Sequence, residues 1–199
     1  MASSCPRQKS EPVWLGVPAS RRQIREAPRM RLAVPAGPAP ACAASGAATT
    51  LASADYVRPF WDAVKVTVIG RHLFDTTNGW DGDPAAGDEL VVITHRPLPQ
   101  AWLAGHPDAP FRTAGSVEAG IALAKRLAGD GLVCVTAGDL GGQAFSAGLV
   151  DEIAMDVAPV VLGEGVRFFG SHAGTILLDD PDQVVRGDRV LHLHYTVRR

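Results

Sequence analysis

Three short β-branched runs, each followed by a turn or a helix-like stretch, constrain the fold of this chain more than any other feature. They are KVTVI (Lys65 to Ile69), ELVVIT (Glu89 to Thr94) and LVCVT (Leu132 to Thr136). Runs of this length and composition are typical of buried strands. Because helix-like stretches separate them, their order predicts an α/β three-layer sandwich with a mainly parallel sheet.

The most secure predicted helix lies between the second and third runs. Ser116 is a good N-cap residue, and Gly129 is suited to end a helix. Apolar residues between them recur on one helical face: Val117, Ile121, Leu123, Ala124 and Leu127. Shorter helices are predicted to begin at Arg71 and to cover GGQAFSAGL (residues 141–149).

The last quarter of the chain predicts a different arrangement. EIAMDVAPVVLG (residues 152–163) predicts a strand with Ile153, Met155 and Val157 on one face. TILLDD (residues 175–180) and QVVRGDRVLHLHYTV (residues 183–197) predict an antiparallel tail. Its final hairpin would turn at Gly187-Asp188 and add an antiparallel edge to the sheet.

The N-terminal segment differs from the rest of the chain. Residues 1–54 are rich in Ala, Pro, Arg and Ser and show no sustained period of 2 or 3.6. Such a segment buries too little apolar surface to offset its ordering entropy, which predicts a largely disordered or atypical stretch. PVWLGV (residues 12–17) and RLAV (residues 31–34) are each suited to one strand. A folded domain is predicted over residues 55–199.

Charge and cysteine content exclude several classes of partner. The 19 Lys and Arg against 21 Asp and Glu give a net charge of -2, so net charge gives no reason to expect nucleic acid or an anionic membrane as a partner. Cys5, Cys42 and Cys134 are too few and too scattered for a disulfide framework or a zinc site. No apolar stretch is as long as a membrane span. We expect a cytoplasmic protein without a bound metal that acts on a small molecule.

Three stretches are predicted to share one edge of the sheet. In parallel sheets ligands bind beyond the carboxyl ends of the strands, where the chain places Gly70-Arg71-His72, Thr94-His95-Arg96 and AGDLGG (residues 137–142). The two guanidinium groups are suited to a phosphate. A single arginine at a strand end is more typical of a solvated surface, but three such loops on one edge favour a binding site.

The glycine-rich stretch AGDLGG raises the question whether it cradles a phosphate or caps a helix. It fits neither the dinucleotide fingerprint nor the P-loop pattern. A carboxylate about 6 Å from a pyrophosphate charge would cost roughly 3 kcal/mol, whereas a helix dipole returns only about 0.3 to 1 kcal/mol. We therefore predict that Asp139 turns inward as the N-cap of its helix, and that only backbone near Ala137 and Gly138 approaches a cofactor.

The order VIGRHLFD, VVITHR and VTAGDLGGQAFSAGLVDEIAMDVAPVVLGEGVRFF resembles the dihydrofolate-reductase-like family. It is most similar to the C-terminal reductase domain of the bifunctional riboflavin-biosynthesis deaminase/reductase and to its stand-alone bacterial relatives. The resemblance covers residues 56–199, and GLVDE with APVVLGEGVRFF is its most specific part. It implies an NADPH-dependent reductase, commonly a homodimer, that transfers hydride to a small heterocyclic or ribosylamino substrate such as 5-amino-6-(5-phosphoribosylamino)uracil.

The resemblance also implies where the cofactor would bind. Arg71 and His72 would meet its phosphates, Thr94 and Arg96 would hold the 2′-phosphate, and the turn of residues 137–139 would lie along the pyrophosphate. The implied cofactor-binding set is Gly70, Arg71, His72, Thr94, Arg96, Ala137, Gly138, Asp139 and Leu140. No catalytic acid or base is carried onto this chain by the resemblance.

Other residues receive structural roles. By resemblance, Leu149, Ile153 and residues 160–162 belong to the core. The carboxylate pair Asp151-Glu152 is more typical of a helix-to-strand connection than of an acid/base dyad. His192 and His194 share one face of a strand, and with no third ligand nearby they favour a solvent-facing or packing role over a metal site.

Two alternatives to an active riboflavin-type reductase stay open. Family members begin with a strand followed by an SLDG-like substrate loop, and residues 1–55 contain no such loop. PVWLGVPAS or RLAV is suited to the strand position only. The first alternative is a noncatalytic nucleotide-binding domain that lacks the first strand and the substrate loop. The second alternative is a pterin- or dihydrofolate-type reductase on the same fold.

Overall fold

The structure is a computed structural model that describes residues 29–33, 51–170 and 172–198. The strands are β1 (Met30–Ala33), β2 (Val64–Gly70), β3 (Glu89–Ile93), β4 (Phe111–Ala114), β5 (Leu132–Thr136), β6 (Glu152–Val157), β7 (Gln183–Arg186) and β8 (Leu191–Thr196). The α-helices are α1 (Leu51–Ala63), α2 (Arg71–Thr77), α3 (Gln100–Gly105), α4 (Val117–Ala128) and α5 (Asp139–Ser146). A tight turn, Asn78–Gly82, follows α2, with Gly79, Trp80 and Asp81 in the left-handed region.

The described strands form one sheet in the order β4-β3-β2-β5-β1-β6-β8-β7. All neighbours from β4 to β6 are parallel, and β8 pairs antiparallel with both β6 and β7. The predicted mainly parallel sheet with a C-terminal antiparallel hairpin is therefore confirmed. The hairpin turns at Gly187-Asp188, where the Gly187 N–H donates to the Val190 carbonyl oxygen at 2.9 Å.

The two faces of the sheet carry different helices. α4 and α5 cover one face, where Ile121 and Phe145 pack with buried strand residues such as Val133. α2 and α3 cover the opposite face through Phe74 and Trp102. α1 lies on that same face, with side chains against Ala33, Val64 and Cys134. The molecule thus has the three layers that the sequence predicts.

Helix α4 forms as its sequence predicts. Ser116 is the N-cap, and its side chain accepts a hydrogen bond from the Ala119 N–H at 3.2 Å. Gly129 follows the last turn with a φ of 58°, a conformation that favours glycine. The apolar face of α4 is buried against the sheet, with Ile121 and Ala124 almost inaccessible to solvent.

The short strand β1 occupies an interior position between β5 and β6. It consists of Met30–Ala33 and so includes most of the RLAV run. Two hydrogen bonds to Asp151, just before β6, hold the start of β1. The Met30 N–H donates to the Asp151 carboxylate, and the Met30 carbonyl oxygen accepts from the Asp151 N–H, each at 3.0 Å. The PVWLGV run lies outside the described residues, and the division of the chain after residue 54 stays a prediction.

Several sequence predictions are wrong in detail. TILLDD forms no strand, and the strand predicted over residues 152–163 ends at Val157. Val161 and Leu162, expected in the core, are 97% and 60% exposed, because they follow the end of β6 and no layer of the described structure covers them. α1, α3 and β4 were not predicted, because their apolar patterns are weak or very short.

Within the described part of the chain, no helix combines the length and the apolar character needed to cross a membrane.

Candidate functional site

The sheet has a topological switch point between β2 and β5. From β2 the chain moves outward to β3 and β4 with its helices on one face. It then returns through α4 on the other face to β5, which lies on the opposite side of β2. A crevice beyond the carboxyl ends of the strands at such a point is the usual ligand site of an open α/β sheet. We call the loops after β2, β3 and β5 the carboxyl rim.

Gly70 ends β2 at this rim. It precedes α2 as its N-cap with φ −84° and ψ 160°, which is ordinary extended backbone. A Cβ atom at Gly70 would meet no atom within 4 Å, so this residue borders open space rather than packed protein.

The Arg71 guanidinium contacts both α2 and the loop after β3. Its Nε donates to the Asp75 carboxylate at 2.7 Å. Its Nη1 donates to the carbonyl oxygens of Arg96 and Pro97 at 3.3 and 3.0 Å and approaches the Thr94 hydroxyl at 3.5 Å. Arg71 consequently ties α2 to the loop that follows β3.

Thr94 and Arg96 lie on that loop. The Thr94 hydroxyl donates to the Arg96 carbonyl oxygen at 2.8 Å and accepts from the Arg96 N–H at 3.2 Å. The Arg96 guanidinium extends into solvent with 74% of its side chain exposed, and it lies 4.0 Å from the Asp75 carboxylate. Arg71, Thr94 and Arg96, which sequence reasoning assigned to one site, thus form one connected group.

The two histidines of the rim are less constrained. His72 is exposed on the first turn of α2, and His95 is exposed beside Arg96. Neither side chain is buried against the group formed by Arg71 and Thr94. Both remain candidate contacts for a ligand above the rim.

The glycine-rich turn after β5 starts α5, but not as predicted. Gly138 is the N-cap with φ 86° and ψ −151°, and no side chain caps the helix. Asp139 is instead the first helical residue, and its side chain is exposed. The prediction of Asp139 as N-cap is wrong because the glycine takes the cap position in a backbone conformation that other residues rarely adopt.

Backbone groups of this turn already have protein partners. The Gly138 N–H donates to the Phe168 carbonyl oxygen at 2.9 Å, and the Ala137 N–H donates to the Ala33 carbonyl oxygen at 3.3 Å. The Leu140 side chain is buried in the core. The N–H groups of Ala137 and Gly138, predicted to lie along a pyrophosphate, are therefore engaged by protein. Leu140, also predicted to bind the cofactor, has only backbone groups available for a ligand.

Glu152 lies away from the rim in a buried ionic group. It forms ion pairs with Arg31 and, at 3.3 Å, with Arg29, and its carboxylate lies 3.3 Å from Nε2 of His194. Burial by itself would raise the pKa of Glu152, but the charge and hydrogen bond of Arg31, helped by His194, outweigh burial and hold the pKa below its ordinary value. Asp151 and Glu152 lie where the connection from α5 meets β6, which confirms the predicted helix-to-strand connection.

One hydrogen-bonded chain was not foreseen from the sequence. His192 Nδ1 lies 2.7 Å from the Asp156 carboxylate, and Nε2 lies 3.0 Å from the Ser53 hydroxyl. Ser53 and His192 are 6% and 4% exposed, and the hairpin residue Gly187 packs closely against the Ser53 hydroxyl. The chain joins α1 to the hairpin, which confirms a packing role for His192. No sequence signal marked it, since Ser53 and His192 are 139 residues apart.

Comparison with known proteins shows the fold. No protein-family model and no curated protein matches the chain. Among solved structures, a protein described as a riboflavin biosynthesis protein from Shewanella sp. PV-4 aligns with a TM-score of 0.59 at 18% identity, over 77% of this chain and 85% of that one. RibD of Acinetobacter baumannii aligns with a TM-score of 0.56 at 15% identity, over 87% of this chain and 59% of that one.

A third similar structure is a pyrimidine reductase-like protein from Corynebacterium diphtheriae. It aligns with a TM-score of 0.54 at 14% identity, over 86% of this chain and 92% of that chain. The chain therefore has the dihydrofolate-reductase-like fold of RibD-type reductase domains, which confirms the resemblance found in the sequence.

Proposed function

We propose that this protein is an NADPH-dependent reductase that transfers hydride to a small heterocyclic or ribosylamino substrate. The observation that carries the proposal is the carboxyl rim at the switch point of the sheet, where a connected group of Arg71, Thr94 and Arg96 stands beside the open space at Gly70. The fold is that of RibD-type reductase domains, which supports the reductase class. A homodimer in the cytoplasm is part of the same proposal.

The residues of the rim fit a 2′-phosphorylated nicotinamide cofactor. The exposed Arg96 guanidinium and the Thr94 hydroxyl would hold the 2′-phosphate, because a guanidinium fork matches a phosphate in both charge and geometry. Arg71 would keep their loop in place, and the open space at Gly70 would admit the cofactor close to the sheet. When bound, NADPH supplies the hydride, so the protein contributes mainly orientation and electrostatics.

The test is a parallel titration of the full chain with NADPH and NADH, followed by tryptophan fluorescence. The proposal expects selective binding of NADPH, followed by oxidation of the cofactor when a suitable substrate is added. Candidate substrates are a ribosylaminopyrimidine and a pterin. Turnover with the pterin alone would indicate a pterin-type reductase, and binding of neither cofactor would contradict the proposal.

A second candidate is a nucleotide-binding domain without catalytic activity. The specific observation in its favour is that the N–H groups of Ala137 and Gly138 are engaged by protein carbonyls. In addition, the exposed Asp139 carboxylate stands at the start of α5, where it disfavours a nearby pyrophosphate. This candidate expects cofactor binding without oxidation by either class of substrate.

A further inference from the structure

Asp75 lies between the two arginines of the carboxyl rim. It follows Arg71 by one turn of α2, and its Oδ1 accepts a hydrogen bond from Arg71 Nε at 2.7 Å. Its second oxygen, Oδ2, lies 4.0 Å from Nη2 of Arg96. One carboxylate therefore faces both guanidinium groups that sequence reasoning assigned to phosphates.

The two arginines differ in how firmly they are held. Only 17% of the Arg71 side chain is exposed, and Nη1 of Arg71 donates to the Pro97 carbonyl oxygen at 3.0 Å. Its Nε and Nη1 donors are thus engaged by Asp75 and by the loop, and an anion that drew these two donors away would release the loop. Arg71 is therefore a positioning residue for that loop.

Arg96 is held much more weakly. Its side chain is 74% exposed, and 4.0 Å is the outer limit of an ion pair with Asp75. Exposed pairs of this kind contribute little stability, so Arg96 loses little by leaving Asp75. A phosphate monoester offers it shorter, bidentate and charge-assisted hydrogen bonds.

We propose that Asp75 determines the affinity of the rim for a phosphate monoester, by positioning Arg71 and by competing with the phosphate for Arg96. Its negative charge repels an incoming phosphate, while its Oδ1 keeps Arg71 on the loop. The inference rests on the proposed function for the identity of the phosphate, the 2′-phosphate of the cofactor. Asp75 thus limits how tightly that phosphate binds.

Two substitutions separate the two roles of Asp75. Asp75→Asn keeps an oxygen that accepts from Arg71 Nε but removes the charge. Asp75→Ala removes both the charge and the acceptor, so that the loop carrying Thr94 and Arg96 loses part of its support. The control is Asp130→Asn, the same charge change at an exposed residue just before β5. Asp130 lies at the amino-terminal end of this strand, away from the carboxyl rim.

The experiment titrates the full chain and these variants with adenosine 2′-monophosphate and with adenosine, by calorimetry at low and high salt. We expect Asp75→Asn to bind adenosine 2′-monophosphate about three- to tenfold more tightly than the wild type at low salt, with less gain at high salt. Adenosine binding should not change. Asp75→Ala should bind the phosphate compound more weakly than Asp75→Asn does.

The inference is overturned if Asp75→Asn leaves adenosine 2′-monophosphate binding unchanged, undetectable or weaker. An equal gain in Asp130→Asn also overturns it, because the gain would then come from net charge alone. A parallel NADPH titration keeps the two proposals apart. A gain in affinity for adenosine 2′-monophosphate without NADPH binding supports the role of Asp75 and contradicts the proposed function. NADPH-dependent reduction without that gain supports the proposed function and contradicts the role of Asp75.

Discussion

The backbone N–H of Gly138 donates a hydrogen bond to the carbonyl oxygen of Phe168, across 2.9 Å. Gly138 is the N-cap of α5, and the N–H groups at a helix start are common partners of phosphate ions. Here the N–H of the cap residue is engaged by the segment of residues 166–170. The proposed phosphate contacts are instead side chains of a neighbouring strand end, chiefly Thr94 and Arg96.

Gly142 makes a testable contribution to the packing of that segment. It is buried within α5, and a Cβ atom at this position would overlap the backbone carbonyl of Phe169. Because backbone cannot move aside as a flexible side chain can, Gly142→Ala should lower the free energy of unfolding by roughly 2 to 4 kcal/mol. Urea denaturation followed by circular dichroism measures this change.

A matched glycine on another helix provides the control. Gly105 ends α3, and a Cβ atom there would meet no atom within 4 Å. Gly105→Ala should leave stability unchanged or raise it by about 0.4 to 1 kcal/mol, because alanine restricts the unfolded chain. A Gly142→Ala protein as stable as Gly105→Ala would refute the close approach of α5 and Phe169.

Acid should lower the free energy of unfolding, partly by protonating Glu152. Its pKa is lower in the folded protein than in the unfolded chain. It therefore stabilises the fold above its unfolded pKa of about 4.3 and loses that contribution as the pH falls through the folded pKa. Glu152→Gln should lower the free energy of unfolding by about 1 to 3 kcal/mol at pH 7.

The pH dependence distinguishes this charge effect from a simple packing defect. Between pH 7 and pH 3 the wild type should lose more stability than Glu152→Gln, so the difference between the two proteins should shrink in acid. Glu118→Gln, on the exposed first turn of α4, should stay within about 0.5 kcal/mol of the wild type at pH 7. A difference for Glu152→Gln that is constant with pH would count against the ion pair with Arg31.

The sequence predicted the strands that are buried on both faces and missed elements with weaker patterns. KVTVI and LVCVT predict β2 and β5 because most of their residues are β-branched, and β-branched residues favour strands. β4 has only four residues, of which Arg112 and Thr113 are exposed, so no apolar run marks it. α1 contains Pro59, a residue type that disfavours a helix interior, although the neighbouring Phe60 and Trp61 pack on the sheet.

The location of the candidate site can be predicted from the sequence, but its hydrogen bonds cannot. Parallel strand ends meet at one edge, so Arg71 and Arg96 could be assigned to the same rim from order alone. Which donors are already engaged depends on the path of residues 166–170 and on the loop after β3. No local pattern predicts that the Phe168 carbonyl reaches Gly138, or that Arg71 bonds the Pro97 carbonyl.

Cys134 should be chemically inert in the folded protein. It is completely buried between β2 and β1, and burial raises the pKa of its thiol to about 12. At pH 8 only about one thiol in ten thousand would then be the reactive thiolate. In a Cys5→Ser/Cys42→Ser protein, iodoacetamide should modify Cys134 at least a hundredfold more slowly without urea than in urea, as measured by mass spectrometry. Comparable rates would show that Cys134 is accessible.

Arg96 provides the most direct test of cofactor selectivity. A hydrogen bond to a charged group contributes about 1.5 to 3 kcal/mol, so Arg96→Ala should weaken NADPH binding roughly tenfold or more and leave NADH binding nearly unchanged. Arg126→Ala removes the same charge from the exposed surface of α4, on the opposite face of the sheet, and should affect neither cofactor. If Arg96→Ala weakens both cofactors equally, the guanidinium does not contact the 2′-phosphate, because only NADPH carries that group.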